Sequence, residues 1–363
     1  MTNASAVDSR SGSRRVLVLT LFGALSLLAA RAATAPLTTP APLPAPVTNN
    51  AVAAGRVGRD TWVFSALGVD STKRWSGITR RAHAWDSGTR QWRALPDVPG
   101  TVGRLASTAQ VVRGRLVLLG GYTVDSSGAE RSVPSVDLFD PTAMRWSAGA
   151  PIPVPVDDAV SGVWRDSLIF VVSGWHDTDN VQDVQLYDVS RDRWSTATPI
   201  PGRGVFGHTG SLVGNTIVFV DGAARQPSGP KYALVPQVWL GHIDPSRPTA
   251  IRWEAGPAHP GPALYRAAAA PCGSRVIIAG GTANPYNYNG IGYDTHPSEP
   301  LATVLEFDTA RGAWRARASL TTATMDHRGL VRVGREGWII GGMHAAQRVR
   351  AGIVTTPLDD CDP

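Results

Sequence analysis

The sequence predicts an all-β fold built from about six copies of one structural unit. Three features carry this prediction: apolar segments that end in Gly, further segments that end in Asp, and a Trp shortly after each Asp. The features recur every 50 to 60 residues or so along most of the 363-residue chain, a period that indicates a repeat architecture. A charged fraction of 18% and a hydrophobic fraction of 43% argue against wholesale disorder.

Each unit contains the same elements in the same order. The first apolar segment has a strand-like composition and ends at Gly68, Gly121, Gly174, Gly222, Gly281 and Gly342. A second strand ends in an acid, at Asp86, Asp140, Asp188, Asp244 and Asp308. After a short turn a large aromatic residue follows, at Trp92, Trp146, Trp194, Trp253 and Trp314.

The repeated residues have structural explanations. Gly at a strand end allows a positive φ and a close approach to neighbouring backbone. An Asp side chain can accept hydrogen bonds from the backbone of the turn that follows it. Trp is large enough to fill the space between two sheets. We therefore expect these residues to build the fold rather than to carry chemistry.

This set of motifs resembles the kelch repeat, and the resemblance covers essentially all of residues 36–363, although the paired Gly is complete only at 120–121, 280–281 and 341–342. The resemblance implies a six-bladed β-propeller. The last unit lacks the Asp, the turn and the Trp, whereas residues 41–47 read like residues 150–156, which follow Trp146. We expect residues 36–42 to supply an N-terminal strand that completes the sixth blade and closes the ring.

Residues 1–35 have the layout of a signal peptide. A polar start ends in Arg14-Arg15, residues 16–30 are apolar, and residues 33–35 match a small-residue cleavage pattern. The mature domain would then span residues 36–363 and be periplasmic or secreted. An uncleaved anchor is the alternative, and the paired Arg leaves Sec and twin-arginine export both open.

The charge and the cysteine content indicate which binding partners and which covalent links to expect. The chain carries 35 basic and 29 acidic residues, but much of the surplus lies in the leader, so we expect no nucleic-acid partner. We expect a monomer without a membrane contact once the leader is removed. The two cysteines, Cys272 and Cys361, are placed on one face of adjacent blades, which predicts a disulfide in an oxidising compartment, with two free thiols as the alternative.

The repeat also predicts which face carries function. We call the face that holds the loops between the second and third strands, and between blades, the top face; the short turns lie on the bottom face. The top-face loops 121–135, 174–183, 222–237 and 281–302 are long, and long loops on a rigid scaffold are where sites are usually built.

Polar residues are expected to form a ring where the blade-to-blade loops meet the central channel. Its members predicted to contact a ligand are Asn50, Arg104, Asp157, Arg266 and Arg328. The catalytic candidates, because acid–base chemistry needs titratable groups, are His208, Asp158 and His327. The alternative is that these groups satisfy one another and buried backbone. We favour a ligand site because six polar entries converge on one concavity.

Aromatic and amide residues in the top loops suit a sugar, whose C–H face packs on rings while its hydroxyls bind amides and carboxylates. They are Trp175, His176, Tyr286, Asn287, Tyr288, Tyr293 and Asp294. The alternative is a loop that packs on itself. Glu130 and Glu299 also lie in top loops, but nothing in their spacing pairs them. No metal-ligand spacing is present, so no metal and no cofactor are predicted.

Three groups share the kelch architecture. Bacterial periplasmic sialic acid mutarotases (N-acetylneuraminate epimerases) are similar in plan, but Asp221-Gly222-Ala223 lacks the Glu that they carry after the blade-four Gly. Neither Cys is predicted near a top-face Tyr, as a galactose oxidase-like copper site requires. Kelch adaptors bind proteins without chemistry. The sequence therefore favours a carbohydrate-type ligand, with sugar isomerisation as the enzymatic form, and a non-catalytic protein-interaction module as the alternative.

Overall fold

A computed structural model describes residues 40–361, and these residues form six β-sheets arranged as the blades of a propeller. The sheets of blades 1 to 5 have four antiparallel strands, and the described part of blade 6 has three. The all-β, six-bladed prediction is therefore confirmed. The predicted signal peptide and most of the predicted closing strand lie outside the described residues.

The strands of blades 1 to 3 follow the chain in order. Blade 1 contains β1 (Ala51–Val57), β2 (Asp60–Ala66), β3 (Ala82–Asp86) and β4 (Trp92–Leu95). Blade 2 contains β5 (Thr108–Val112), β6 (Arg115–Leu119), β9 (Val136–Asp140) and β10 (Arg145–Ala148), with a top-face hairpin of β7 (Tyr122–Val124) and β8 (Glu130–Ser132). Blade 3 contains β11 (Val160–Trp164), β12 (Leu168–Val172), β15 (Val184–Asp188) and β16 (Arg193–Ala197), with a hairpin of β13 (Trp175–His176) and β14 (Asp179–Asn180).

Blades 4 to 6 repeat the plan. Blade 4 contains β17 (Thr209–Val213), β18 (Thr216–Val220), β21 (Val238–Asp244) and β22 (Arg247–Ala255), with a hairpin of β19 (Ala223–Arg225) and β20 (Tyr232–Leu234). Blade 5 contains β23 (Ala268–Cys272), β24 (Arg275–Ala279), β25 (Val304–Asp308) and β26 (Ala313–Ala316). Blade 6 contains β27 (Val331–Val333), β28 (Glu336–Ile340) and β31 (Ile353–Pro357), with a hairpin of β29 (Met343–His344) and β30 (Arg348–Val349). Two 3₁₀ turns, Trp75–Gly77 and Ala345–Gln347, lie in top loops.

The repeated Asp and Gly act as the sequence predicts. The Asp140 carboxylate accepts hydrogen bonds from the N–H groups of Thr142 and Ala143, and the equivalent acids of the other blades close their turns in the same way. Gly121 has a φ of 94°, and a Cβ there would lie 2.5 Å from the carbonyl oxygen of Leu105. A side chain at this position would therefore collide with backbone.

The repeated Trp residues join each blade to the one before it. The Trp146 indole donates a hydrogen bond of 2.8 Å to the Pro96 carbonyl, which lies in the segment that leaves blade 1. The same contact is made by the indoles of Trp194, Trp253 and Trp314. Trp92 donates to the carbonyl of Ala41, at 2.9 Å. The N-terminal segment therefore occupies the place that the exit from a preceding blade occupies elsewhere.

The same segment is bound to blade 6. The Leu43 N–H donates to the Ala351 carbonyl at 2.8 Å, and Leu43 is buried in the core between blades 6 and 1. Trp85 of blade 1 and Trp338 of blade 6 pack edge to face in that core. Residues 40–47 thus link the first and last blades, while the predicted outer strand at 36–42 stays a prediction.

The C-terminal tail is held on the bottom face twice. Cys361 forms a disulfide with Cys272, with a Cα separation of 4.8 Å. The Asp360 carboxylate next to it pairs with Arg275 and Arg317, each at 2.9 Å, and these partners hold the pKa of Asp360 below its ordinary value. The tail is therefore fixed both covalently and by ion pairs.

Reduction should lower the stability of the domain without releasing the tail. A disulfide that closes a loop of 89 residues contributes about 2–5 kcal/mol to the free energy of unfolding. We expect dithiothreitol to shift the urea midpoint of the wild type downwards and to leave the midpoint of Cys361→Ala unchanged. Equal responses of the two proteins would contradict the pairing.

Candidate functional site

Arg266 lies at the centre of the top end of the channel. Its guanidinium binds both carboxylate oxygens of Asp158, at 3.1 and 2.6 Å, and one oxygen of Asp326, at 3.0 Å. The rings of Tyr265 and Tyr286 lie 4.9 and 5.2 Å from the guanidinium carbon. Arg266, Asp158 and Asp326 are each exposed by 2% or less, so they form a plug rather than an open mouth.

A second arginine completes the plug. The Arg328 Nη2 atom lies 2.7 Å from Asp158 and donates to the Asn49 side-chain oxygen at 2.9 Å. Two guanidiniums therefore face two carboxylates, and the plug is electrically balanced. Breaking such a buried set by removing one member is costly because it leaves an uncompensated charge.

The backbone of the blade-entry loops supports the plug. One residue per blade has a left-handed backbone, with φ between 49° and 72°; the six are Asn49, Ala106, Asp158, Gly207, Arg266 and Asp326. The N–H groups of Asp158, Gly207 and Arg266 each donate to the carbonyl of the preceding member of this series, at 3.0, 3.0 and 2.7 Å. This conformation is unfavourable for non-glycine residues, so the hydrogen bonds around the ring must hold it.

The three predicted catalytic residues converge, but internal contacts occupy them. Asp158 belongs to the plug. The His208 Nε2 atom lies 3.0 Å from the Val172 carbonyl and 3.2 Å from the Val160 N–H, and its Nδ1 atom is buried without a partner. The His327 Nε2 atom lies 2.8 Å from the Thr324 hydroxyl. Their catalytic role stays a prediction.

Burial determines the protonation of these groups. It lowers the pKa of His208 to about 4 and the pKa of His327 to about 3, so both rings are neutral near pH 7. Burial alone would raise the pKa of Asp158, but Arg266 and Arg328 outweigh it and hold that pKa below the ordinary value. Asp158 is therefore ionised, and the two histidines are weak bases.

Three further predicted ligand residues are buried in separate pairs. Arg104 forms an ion pair of 2.5 Å with Asp137. Asn50 donates to the Ser65 hydroxyl at 2.8 Å. Asp157 accepts a 2.6 Å hydrogen bond from Ser132, and burial together with the neighbouring Asp158 raises the pKa of Asp157 well above its ordinary value. None of these side chains is presented to solvent.

The predicted aromatic residues divide between two clusters on the top face. Trp175, Tyr286 and Tyr293 pack in one cluster with residues of blades 3 to 6, where Tyr286 is fully buried. Tyr288 packs in the other, with Val69 and Tyr122 of blades 1 and 2. The blade-five loop therefore reaches across the channel axis and covers the plug.

The polar residues of these loops are arranged around the clusters. The His176 Nδ1 atom lies 2.6 Å from the Pro155 carbonyl. The side-chain oxygen of Asn287 accepts from the Tyr288 N–H, and Asp294 accepts from the Asn284 amide. These contacts stabilise the loop itself, which was one of the two interpretations of its composition.

Glu130 is the carboxylate on the top face that sequence reasoning did not select. It lies on β8, opposite Val124, and it is exposed and has no hydrogen bond or ion pair within residues 40–361. Burial nevertheless raises its pKa, so the carboxylate is partly desolvated although the residue is exposed. We call the space between this carboxylate and the tyrosines around it the recess. Burial and, secondarily, the Glu130 charge raise the pKa of four tyrosines around this recess: Tyr122, Tyr232, Tyr288 and Tyr293.

A large cavity lies below the plug. The central channel has a volume of about 990 Å³ and is lined by the inner strands of all six blades. Its lining includes Asp158, His208, His327 and Arg328 at the plug, and it extends to the bottom-face turn residue Gly334. The plug separates this cavity from the top-face loops, where the predicted ligand site stays a prediction.

Within residues 40–361, the one group of three or more His, Cys, Asp or Glu side chains close enough to share an ion is Cys272, Asp360 and Cys361, and its cysteines are joined to each other. In the same range, no helix has the length and apolar character needed to cross a bilayer.

The fold and the closed channel define the protein as a six-bladed β-propeller. No protein-family model and no curated protein matches the sequence. Among solved structures, one described as "Structure of YjhT" aligns with a TM-score of 0.69 over 86% of this chain and 95% of that chain, at 16% identity. This likeness shows the fold, and the kelch resemblance stays a prediction.

Removing the central guanidinium should destabilise the propeller strongly. Arg266→Met leaves Asp326 and part of Asp158 as uncompensated buried charges, which should lower the free energy of unfolding by about 3–5 kcal/mol. Urea denaturation monitored by Trp fluorescence measures this loss. Adding Asp158→Asn should restore part of it, whereas a loss below about 1 kcal/mol in Arg266→Met would contradict the role of the plug.

Stability should also fall in mild acid. The ordinary pKa of His208 is 6.5 and the folded value is about 4, so the neutral ring contributes stability above pH 6.5 that is lost as pH falls through 4. The loss amounts to about 3 kcal/mol for this one ring. We expect urea denaturation between pH 7 and 4 to show a smaller fall in the free energy of unfolding for His208→Gln than for the wild type. His296→Gln, an exposed ring, is the control and should behave like the wild type.

Proposed function

We propose that the protein is exported and binds a carbohydrate-type ligand in the top-face recess around Glu130. The single observation that carries the proposal is the state of this carboxylate. Within residues 40–361 it has no partner, yet its surroundings raise its pKa. An ionisable group that is partly desolvated and left unpaired is more typical of a binding site than of a structural contact.

The surroundings of Glu130 fit a polyhydroxyl ligand. Tyr232 and Tyr293 pack edge to face at 4.5 Å on one side, and Tyr288 packs with Tyr122 on the other. Lys231 lies 5.1 Å above the Tyr232 ring and adds a donor. Rings can pack on the C–H face of a sugar, and the carboxylate can accept its hydroxyls.

Binding is better supported than catalysis. His208, Asp158 and His327 are occupied by internal contacts, and Ala223, which stands where the mutarotases carry Glu, is buried in β19. If the protein isomerises a sugar, Glu130 is the group that would accept or donate the proton, because its raised pKa lies nearer to neutral pH. We therefore propose mutarotation only as a secondary activity of the same recess.

A non-catalytic protein-interaction module is the second candidate. Among residues 40–361, three of the four exposed large hydrophobic side chains lie in top-face loops: Trp75, Val102 and Ile291. Exposed apolar side chains on one face are typical of a protein-binding surface when they are contiguous. A protein partner would depend on Trp75 and Val102, whereas a sugar in the recess would depend on Glu130.

Glu130→Gln tests the carbohydrate proposal. Calorimetric titration of residues 36–363 with sialic acids, neutral sugars and sugar acids should identify a ligand, and the variant should bind it at least tenfold more weakly, because it loses a charge-assisted acceptor. Binding should also weaken as pH falls through the raised pKa of Glu130, since the protonated carboxyl accepts hydrogen bonds less well.

Glu299→Gln is the matched control. Glu299 also lies in a top loop, but it accepts a hydrogen bond from Gln347, and a Gln there can still accept it. The control should bind like the wild type. Equal affinity of wild type and Glu130→Gln would refute the recess as the site, and no binding to any sugar of the panel would favour the protein-interaction module.

A further inference from the structure

The proposed top-face site does not use the central channel. The central channel is closed above by the Arg266 plug and reaches the bottom face at Gly273 and Gly334, so it is a blind tube. Four of the six inner strands in its wall have five residues, which makes each about 17 Å long at roughly 3.3 Å per residue. Its volume of about 990 Å³ is sufficient for a small organic molecule.

Positive charge dominates this tube. The charged residues in its lining are Arg56, Asp158, Arg328 and Arg332. Asp158 is already neutralised by the plug arginines, and the two lining histidines are neutral near pH 7 because burial lowers their pKa values. The charge of the lower tube is therefore set by Arg56 and Arg332.

These two arginines lie on neighbouring strands, and neither forms an ion pair with a carboxylate of residues 40–361. Arg56 lies on β1 and Arg332 on β27, which are the neighbouring inner strands of blades 1 and 6. Arg332 donates to the carbonyl oxygens of Gly334 and Cys361, at 3.1 and 2.6 Å. Arg56 is exposed and has no hydrogen bond or ion pair within residues 40–361. Two unneutralised guanidiniums at one mouth make an anion-binding arrangement.

Both small and polar residues line the wall between the mouth and the plug. The small ones include Ala53, Ala109 and Ala269. The Gln110 amide donates to Ser161 at 2.8 Å, which leaves its carbonyl oxygen as an acceptor. Ser211 lines the tube without a side-chain hydrogen bond within the described residues. The wall thus offers partners for hydroxyl groups.

We propose that the channel is a second binding site, which takes a small hydroxylated organic carboxylate from the bottom face. Arg56 and Arg332 bind the carboxylate at the mouth. The remainder of the molecule extends towards the plug and is bound by Gln110 and Ser211. The site is independent of the Glu130 recess, because the plug separates the two.

The test uses residues 36–363 with an intact disulfide and calorimetric titration with gluconate, citrate and inorganic phosphate. Gluconate or citrate should bind with a measurable heat, and Arg56→Gln should weaken this binding at least tenfold. Arg59→Gln removes an exposed arginine from the adjacent turn and does not line the tube, so it should bind like the wild type.

A second variant tests whether the ligand needs the interior of the channel as well as the two arginines at its mouth. Ala269→Phe places a large side chain in the channel while keeping both arginines, and it should abolish the binding of gluconate and citrate. Circular dichroism and urea midpoints verify that each variant is folded. The proposal is wrong if neither acid binds, if Arg59→Gln weakens binding as much as Arg56→Gln does, or if phosphate binds as tightly as the organic acids.

Discussion

The guanidinium of Arg266 joins the entry loops of three blades through two carboxylates, and the rest of the channel is arranged around it. Asp158 comes from blade 3, Arg266 from blade 5 and Asp326 from blade 6. The left-handed backbone at these positions is tolerable because each residue is fixed by neighbouring blades. The ion pairs of Arg266 therefore connect blades 3, 5 and 6 and also close the top end of the channel.

This closure gives the molecule two separate concavities. Above the plug, loops from several blades surround Glu130 with tyrosines; below it, the inner strands form a tube that leads to the bottom face. The two differ in charge: Glu130 and Lys231 carry opposite charges above the plug, whereas Arg56 and Arg332 below it form no ion pair within residues 40–361. Ligands of different chemistry could therefore occupy them without competing.

The fold could be predicted from the sequence because the same structural residues recur in each blade. Asp140 closes its own turn and Trp146 contacts the preceding blade, so their spacing alone predicts the repeat. The predicted ring of polar residues divides between the plug and separate buried pairs, and this pairing was not predictable. A single sequence cannot tell whether Asp158 faces a ligand or Arg266, because the two lie more than a hundred residues apart. Glu130 was noted but not selected, because a single sequence does not show that its carboxylate lacks a partner within residues 40–361.

The N-terminal segment has a consequence for how the chain folds. Ala41 and Leu43 make contacts with blades 1 and 6, so a segment synthesised early must wait for strands made about 300 residues later. Until they meet, the core around Leu43 and Trp338 is exposed, and exposed apolar surface favours association between chains. We therefore expect the docking of the N-terminal segment onto blades 1 and 6 to be a slow, late folding step. The protein should be prone to aggregate until this step is complete.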